Sequence, residues 1–294
     1  MDTVPAKTIV TRTKSPGAWF GIDYNMNLYR GCCHGCIYCD SRSACYGIED
    51  FDRVRVKQGC LEIVRDELRR KVKTGVVGTG AMSDPYNPFE REHRYTRHAL
   101  ELLSAFGFGA AIATKSDLIT RDIDILGEIR SQMPVLCKLT VTTADDALAA
   151  RVEPHAPPPS ARFRAMERLS AAGLFTGVLL MPVLPYLEDS RENVLEIVRR
   201  AHGAGARFIY PAFGMTCRER QREYYYGRLD EHFPGLRDKY VRRYGARYVC
   251  TSPRARELWA AFTEACAAYG ILFDMKTIIR ASRQGYAERQ LTLF

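Results

Sequence analysis

Five of the ten cysteines in this 294-residue chain, Cys32, Cys33, Cys36, Cys39 and Cys45, fall within one short stretch, while Cys60, Cys137, Cys217, Cys250 and Cys266 are scattered singly. A disulfide scaffold is short, secreted and cysteine-dense throughout, which this chain is not. A local cluster points instead to ligation of a metal or an iron–sulfur group. Its centre is Gly31-Cys32-Cys33-His34-Gly35-Cys36-Ile37-Tyr38-Cys39. Read as C-x3-C-x2-C, the ligands are Cys32, Cys36 and Cys39. Three thiolates on one loop hold three irons of a [4Fe–4S] cube, whose usual protein complement is four cysteines, and leave the fourth iron open to a cofactor or substrate. Zinc is the competing reading, but a structural zinc site takes four ligands, usually as two paired C-x2-C elements. A second pair is absent, so Cys45 would have to be the fourth ligand. The scattered five read as packed or idle thiols.

Such a loop needs a scaffold. Apolar, β-rich runs at 27–29, 75–81, 109–114, 137–143, 175–183 and 207–212 alternate with helical patterns at 59–73, 91–106, 121–131, 160–172 and 191–203. That alternation is the signature of parallel βαβ units. Within 160–172, Phe163, Met166 and Leu169 recur at helical spacing and give one buried stripe. Six strand–helix units are too few for the eight-unit barrel. The expected fold is α/β, a partial (β/α)6 TIM-like barrel with a C-terminal helical extension, and its chemistry belongs at the C-terminal strand ends. The chain then divides into an N-terminal extension (1–24), the partial barrel (25–214), a helical extension (215–280) and a flexible tail (281–294).

Hydrophobic residues make up 46% and charged residues 26%, ordinary for a soluble globular protein and too apolar for disorder. The longest apolar stretch, 174–187, is broken by Pro182 and Pro185 and is too short to span a bilayer. Met1-Asp2-Thr3-Val4-Pro5 lacks the basic start and apolar core of a secretory signal. Neither a membrane nor a secreted protein is expected from these features; a cytoplasmic protein is. Of 43 basic residues 34 are arginine, and the net charge is +9. Arginine's planar fork suits phosphate, so contact with nucleic acid is one reading; arginine enrichment by a GC-rich gene is the other. Segment Arg218-Glu219-Arg220-Gln221-Arg222-Glu223-Tyr224-Tyr225-Tyr226 carries a similar choice. Its arginines hold phosphates while its tyrosines stack on unpaired bases, or it is an amphipathic helix whose arginines pair with Glu219 and Glu223 and whose tyrosines pack inward.

The cysteine loop resembles the cluster motif of the radical S-adenosylmethionine (radical SAM) superfamily, C-x3-C-x-aromatic-C, with Tyr38 in the aromatic position. The resemblance is narrower toward the spore photoproduct lyase-like, DNA-repair subfamily. It is carried by Tyr29-Arg30-Gly31-Cys32, Ser83-Asp84, Thr114-Lys115, Glu153-Pro154, Ala156-Pro157-Pro158 and Met181-Pro182. It implies an enzyme whose cofactors are a [4Fe–4S] cluster and S-adenosylmethionine. Such an enzyme cleaves S-adenosylmethionine reductively to a 5′-deoxyadenosyl radical and abstracts hydrogen from its substrate. By the same resemblance Lys115 binds the cofactor carboxylate, and Thr140 stands where the lyase has a carboxylate-binding serine. Ser83 and the backbone around Met181 line the amino-acid and adenine ends, Tyr38 helps place the cofactor, and an electron donor such as flavodoxin or ferredoxin is implied. The substrate implied is nucleic acid, in DNA repair.

Two positions depart from the lyase pattern. The lyase returns a hydrogen atom from a cysteine two positions before the Ser-Asp pair, where this chain has Ala81; it has a tyrosine after the last cluster cysteine, where this chain has Asp40. The known quenching route is therefore missing, and the standard spore photoproduct reaction is not expected. Cys217, just past the sixth strand, is the candidate substitute donor, beside its reading as an idle thiol. Two rival functions stand: a radical SAM enzyme acting on a peptide or small metabolite, and a non-catalytic iron–sulfur accessory protein. The final residues, Gln290-Leu291-Thr292-Leu293-Phe294, resemble the pentapeptide by which bacterial proteins bind the DNA polymerase sliding clamp. That mode inserts Leu291, Leu293 and Phe294 into an apolar pocket, with Gln290 fixing register.

Overall fold

Ile22, Tyr24 and Met26 are buried and the intervening Asp23 and Asn25 half-buried, the period-two pattern of a strand. In the computed structural model, which describes residues 1–286, this segment is the first of six parallel strands. Along its outer edge runs the antiparallel β1 (Val10–Arg12). Then β2 (Ile22–Met26), β3 (Val76–Thr79), β4 (Gly109–Thr114), β5 (Val135–Thr140), β6 (Phe175–Leu180) and β7 (Phe208–Pro211) lie side by side in chain order. The register pairs Gly78 with Ala111 and Thr140 with Leu179, so the strand ends rise together to one rim.

The crossovers are α1 (Cys60–Arg69), α2 (Tyr95–Ala105), α3 (Ile123–Arg130), α4 (Pro159–Ala171) and α5 (Arg191–Gly203). Parallel pairing requires such crossovers and buries both faces of the sheet. Helices cover one face through Ile112, Cys137, Leu139 and Val178. The other is filled by Phe20, Leu136, Leu179, Phe208 and Ile278. The α/β fold of a partial (β/α)6 type is thus observed, with β1 and β7 as the sheet's edges.

The first parallel strand differs from the sequence expectation. It lies at Ile22–Met26 rather than 27–29, because the alternation of Ile22, Tyr24 and Met26 falls where the N-terminal extension was expected to continue. Residues Tyr29–Arg30 instead join Asp2–Val4 and Arg55–Lys57 in a separate three-stranded sheet that grips both ends of the cysteine loop.

Beyond β7 follow α6 (Gln221–His232), α7 (Leu236–Tyr244), α8 (Ala255–Ala268) and α9 (Met275–Arg283). A two-stranded antiparallel ribbon, Gly214–Thr216 with Val249–Thr251, is threaded between them. Tyr225, Tyr240 and Tyr244 of α6 and α7 form one apolar cluster with Ile37, Tyr38 and Leu184, so this extension packs directly on the cysteine loop. The last helix runs past residue 280, and Arg283 donates to the carbonyl of Gly21 (3.0 Å). Gln290, Leu291, Leu293 and Phe294 lie outside the described residues. No described helix is long and apolar enough to cross a membrane.

Candidate active site

The cysteine loop leaves β2 and is held in shape by backbone contacts. Gly31 has φ +83°, and a Cβ there would strike the carbonyls of Phe51 and Arg53, so only glycine fits. Cys32 N–H donates to Phe51 (2.8 Å), Ile37 N–H to Val152 (3.0 Å), and the Gln221 amide to the Tyr38 carbonyl (3.0 Å). Cys36 is buried and Cys32 and Cys39 are half-buried. Burial pushes all three thiols up, with Asp84 adding to the rise at Cys32, which reaches about 12. The three sulfurs also repel one another as thiolates, while the Lys115 ammonium opposes the rise at Cys36 and Cys39.

These thiols are costly to ionise unless cations bind them. Among the described residues no three His, Cys, Asp or Glu side chains converge as one metal ion requires, whereas the thiolates of a cube each take a separate iron. Cys45 is exposed, and its Sγ accepts from Arg218 Nη1 (3.2 Å). The donor set therefore fits a three-thiolate cluster with an open corner better than a four-thiolate zinc site.

The ends of β3, β4 and β5 close around this loop. Gly80 has φ +93° and its backbone passes so near Ala113 that a Cβ would strike that carbonyl. The turn it allows delivers Ser83 and Asp84, both buried. Ser83 Oγ donates to the Tyr29 carbonyl (3.3 Å). Asp84 accepts from Thr114 Oγ1 (2.6 Å) and the Lys115 backbone N–H (2.8 Å), and lies 3.4 Å from His34 Nδ1. One carboxylate thus ties two strand ends to the cysteine loop.

Lys115 Nζ lies 3.8 Å from Glu153 and 5.6 Å from the centre of the Tyr38 ring. Burial works against the Lys115 charge, but Cys36, Glu153 and Cys39 outweigh it and raise its pKa. Glu153 also accepts from the Tyr38 phenol and pairs with the fully buried Arg162. Burial alone would raise Glu153; the Arg162 and Lys115 charges overcome it and leave the carboxyl below its ordinary value. Arg162 donates onward to the Thr140 carbonyl (2.9 Å) and the Pro157 carbonyl (2.7 Å). Thr140 is buried at the end of β5.

Beside the loop opens a cavity of about 560 Å³, lined on one side by Tyr38, Cys39 and Met181 and on the other by Thr216 and Tyr248. Asp40 also lines it and accepts from Thr216 Oγ1 (3.0 Å) and Tyr46 (2.9 Å). Ser83, Lys115 and Thr140 surround the loop without lining this cavity, and Ala81 is exposed. Cys217 is fully buried among α6 and α7, outside the lining.

The Arg218–Tyr226 segment takes its packed form: Tyr225 and Tyr226 are buried, and Arg222 donates to the carbonyls of Cys217, Ala246 and Arg247. Arg218 bonds Asp40, Cys45 and Tyr248 and Arg222 bonds backbone carbonyls, rather than Glu219 and Glu223. Arg162 and Tyr248 escaped sequence reasoning. Arg162 sits beside Phe163 on a helix face read only for its apolar stripe, and Tyr248 reaches the cavity from a segment with no motif.

A parallel sheet carrying a three-thiolate loop beyond its first parallel strand, with a lysine and a carboxylate cradle at the neighbouring strand ends, defines an iron–sulfur cofactor enzyme of partial-barrel type. The model of the Radical SAM superfamily matches residues 26–201. This chain belongs to that superfamily and is a radical SAM enzyme, whose cofactors are a [4Fe–4S] cluster and S-adenosylmethionine.

It is 32% identical over 228 residues to an uncharacterised protein of Mycobacterium tuberculosis, covering 75% of this chain and 67% of that one. It is 29% identical over 194 residues to an uncharacterised protein of Methanocaldococcus jannaschii, covering 63% and 68%. Among solved structures, a spore photoproduct lyase variant superposes with a TM-score of 0.68 at 16% identity, covering 92% of this chain and 81% of the lyase. The radical SAM methyltransferase TsrM of Kitasatospora setae superposes at 0.56 with 10% identity, covering 90% and 59%. At these identities the likeness concerns the fold.

Proposed function

We propose that this radical SAM enzyme acts on nucleic acid, in DNA repair. The observation that carries the reading is the mouth of the cavity. Tyr248 is 46% exposed there, with the Arg218 guanidinium 4.7 Å from its ring centre. An aromatic face beside a guanidinium suits an unpaired base and its phosphate, and the net charge of +9 favours a polyanion. The likeness to a spore photoproduct lyase solved with a dinucleoside spore photoproduct supports the same substrate class.

In this reading Cys32, Cys36 and Cys39 hold the cluster. Lys115 takes the carboxylate of S-adenosylmethionine, Thr140 and Ser83 complete the polar cradle, and Tyr38 and Met181 flank the adenine end. Bound there, the cluster and S-adenosylmethionine supply a 5′-deoxyadenosyl radical by reductive cleavage of the C5′–S bond. The chain's own part is to orient and to exclude water. Glu153 holds the Tyr38 phenol and keeps Lys115 charged, while Met181, Pro182, Phe213 and Met215 make the cavity wall apolar. Ala81 has no S–H to give and Asp40 is engaged by Thr216 and Tyr46, so the lyase's route of hydrogen return is missing, and Cys217 is buried outside the cavity lining. The electron comes from a flavodoxin or ferredoxin.

The test is fluorescence anisotropy of reconstituted holoenzyme with labelled single-stranded and duplex oligonucleotides at rising salt. Affinity that falls steeply with salt supports the reading. Indifference to every oligonucleotide overturns it and moves the substrate to a peptide or small metabolite. The C-terminal Gln290, Leu291, Leu293 and Phe294 are proposed to engage the sliding clamp; removal of residues 290–294 then abolishes retention on immobilised clamp, and unchanged retention contradicts this.

A further inference from the structure

Cys217 and Cys250 belong to neither the cluster loop nor the strand-end cradle, yet the fold brings them together from distant parts of the chain. The ribbon pairs Gly214 with Thr251, Met215 with Cys250 and Thr216 with Val249. One step further, Cys217 N–H donates to the Tyr248 carbonyl (2.8 Å). Cys217 and Cys250 therefore sit diagonally across one ladder, on the face turned into the apolar cluster, and both are fully buried. The two side chains neighbour each other on that face; this contact together with Arg222 holds the Cys217 thiol below its ordinary value, while the same contact and burial push the Cys250 thiol up. Arg222 also clamps this end of the ribbon through the carbonyls of Cys217, Ala246 and Arg247.

We propose that Cys217 and Cys250 form a redox-active dithiol, closing to a disulfide that stiffens the ribbon wall of the active-site cavity. The wall is the same ribbon: Gly214, Met215, Thr216, Val249 and Thr251 line the cavity. It is also joined to the cluster loop through Thr216 and Arg218, both on Asp40. The oxidant is a low-molecular-weight disulfide. The Cys217 thiolate attacks one of its sulfurs, forming a mixed disulfide and releasing one small thiolate. Cys250, losing its proton, then attacks Cys217 Sγ and releases the second. Two protein thiols become one disulfide, and the small disulfide becomes two thiols. The ribbon has three residue pairs, and Val249 on its outer side is 54% exposed, so local opening gives the reagent access.

The test uses the full-length holoenzyme, incubated without oxygen with oxidised glutathione, quenched with iodoacetamide and digested for mass spectrometry. The expected product is one peptide pair joined through Cys217 and Cys250, two hydrogens lighter and separated by dithiothreitol. C250S is expected to trap glutathione on Cys217, while C217S leaves Cys250 unmodified. Amide hydrogen exchange at 214–216 and 249–251 should be several-fold slower in the oxidised protein. Alkylation of both cysteines regardless of glutathione treatment overturns the dithiol, and a disulfide that leaves ribbon exchange unchanged overturns its effect on the cavity.

Discussion

The Tyr38 phenol donates to Glu153, a carboxylate 115 residues further along the chain. Through this contact Tyr38, between Cys36 and Cys39, is fixed by the start of the segment that leads into α4. The same carboxylate pairs with Arg162 and lies 3.8 Å from Lys115, so one buried anion serves two cations and one aromatic ring. Its place is the reverse of an isolated buried charge: Arg162, Lys115 and the Tyr38 phenol all stabilise the ionised form.

Glu153→Gln should therefore destabilise the protein strongly, because it leaves Arg162 buried and uncompensated. Breaking a buried pair from one side costs about 3–5 kcal/mol, read as a lower urea midpoint with unchanged slope. Glu153→Gln combined with Arg162→Met should recover part of that loss. A double variant no more stable than the single would show that the pair is not the source.

Lys115→Ala should weaken binding of S-adenosylmethionine to reconstituted protein by about 10- to 100-fold, the range of one charge-assisted hydrogen bond. Iron content should not change. Equilibrium dialysis with labelled cofactor reads the first quantity and a colorimetric iron assay the second. Unchanged affinity would remove Lys115 from the cofactor site.

Lys138 offers a pH test away from the cluster. Its ammonium is buried on the inner face of the sheet, with the Ala111 carbonyl at 3.4 Å and the Phe20 ring at 4.8 Å, and burial lowers its pKa to about 7. In the unfolded chain a lysine titrates near ~10.4. Between these values the unfolded chain holds a proton that the folded protein lacks, so stability rises with pH across that window. The penalty is fully present below about pH 7. Lys138→Met should abolish the rise and stabilise the protein at neutral pH by on the order of 2 kcal/mol, as apolar replacements of buried charges do. Urea unfolding at pH 6.5 and pH 9.5 checks it: equal stability of wild type at both would contradict the burial effect.

Much of the site was legible in the sequence because its chemistry is local. Cys32, Cys36 and Cys39 share one loop, and the alternation of apolar runs placed β4 and α5 at their observed residues. What escaped was set by tertiary contact. Arg162 occupies a helix face that reads as apolar, and only the approach of Glu153 and the Thr140 carbonyl explains a guanidinium there. The Arg218–Tyr226 run offered either a surface for bases or a packed helix, and packing took Tyr225 and Tyr226 inward; the exposed aromatic lining the cavity is Tyr248, just ahead of the ribbon strand Val249–Thr251. Strand β2 was displaced because its polar Asp23 and Asn25 hide a buried face that only the alternation of Ile22, Tyr24 and Met26 marks.

Site-selective loss of iron separates the three ligands from their neighbours. After anoxic reconstitution, Cys32→Ala, Cys36→Ala and Cys39→Ala should each lose most of their iron and brown colour, whereas Cys33→Ala and Cys45→Ala should keep both. Retention of a full complement by any of the first three would remove that residue from the ligand set.

The most direct test is product analysis of the reconstituted wild-type chain, reduced with dithionite in the presence of S-adenosylmethionine. Roughly four irons per chain, as one cube requires, together with 5′-deoxyadenosine that disappears in Cys36→Ala, is the predicted result. A colourless protein, or zinc held by these thiolates with a fourth ligand and no 5′-deoxyadenosine, would contradict it.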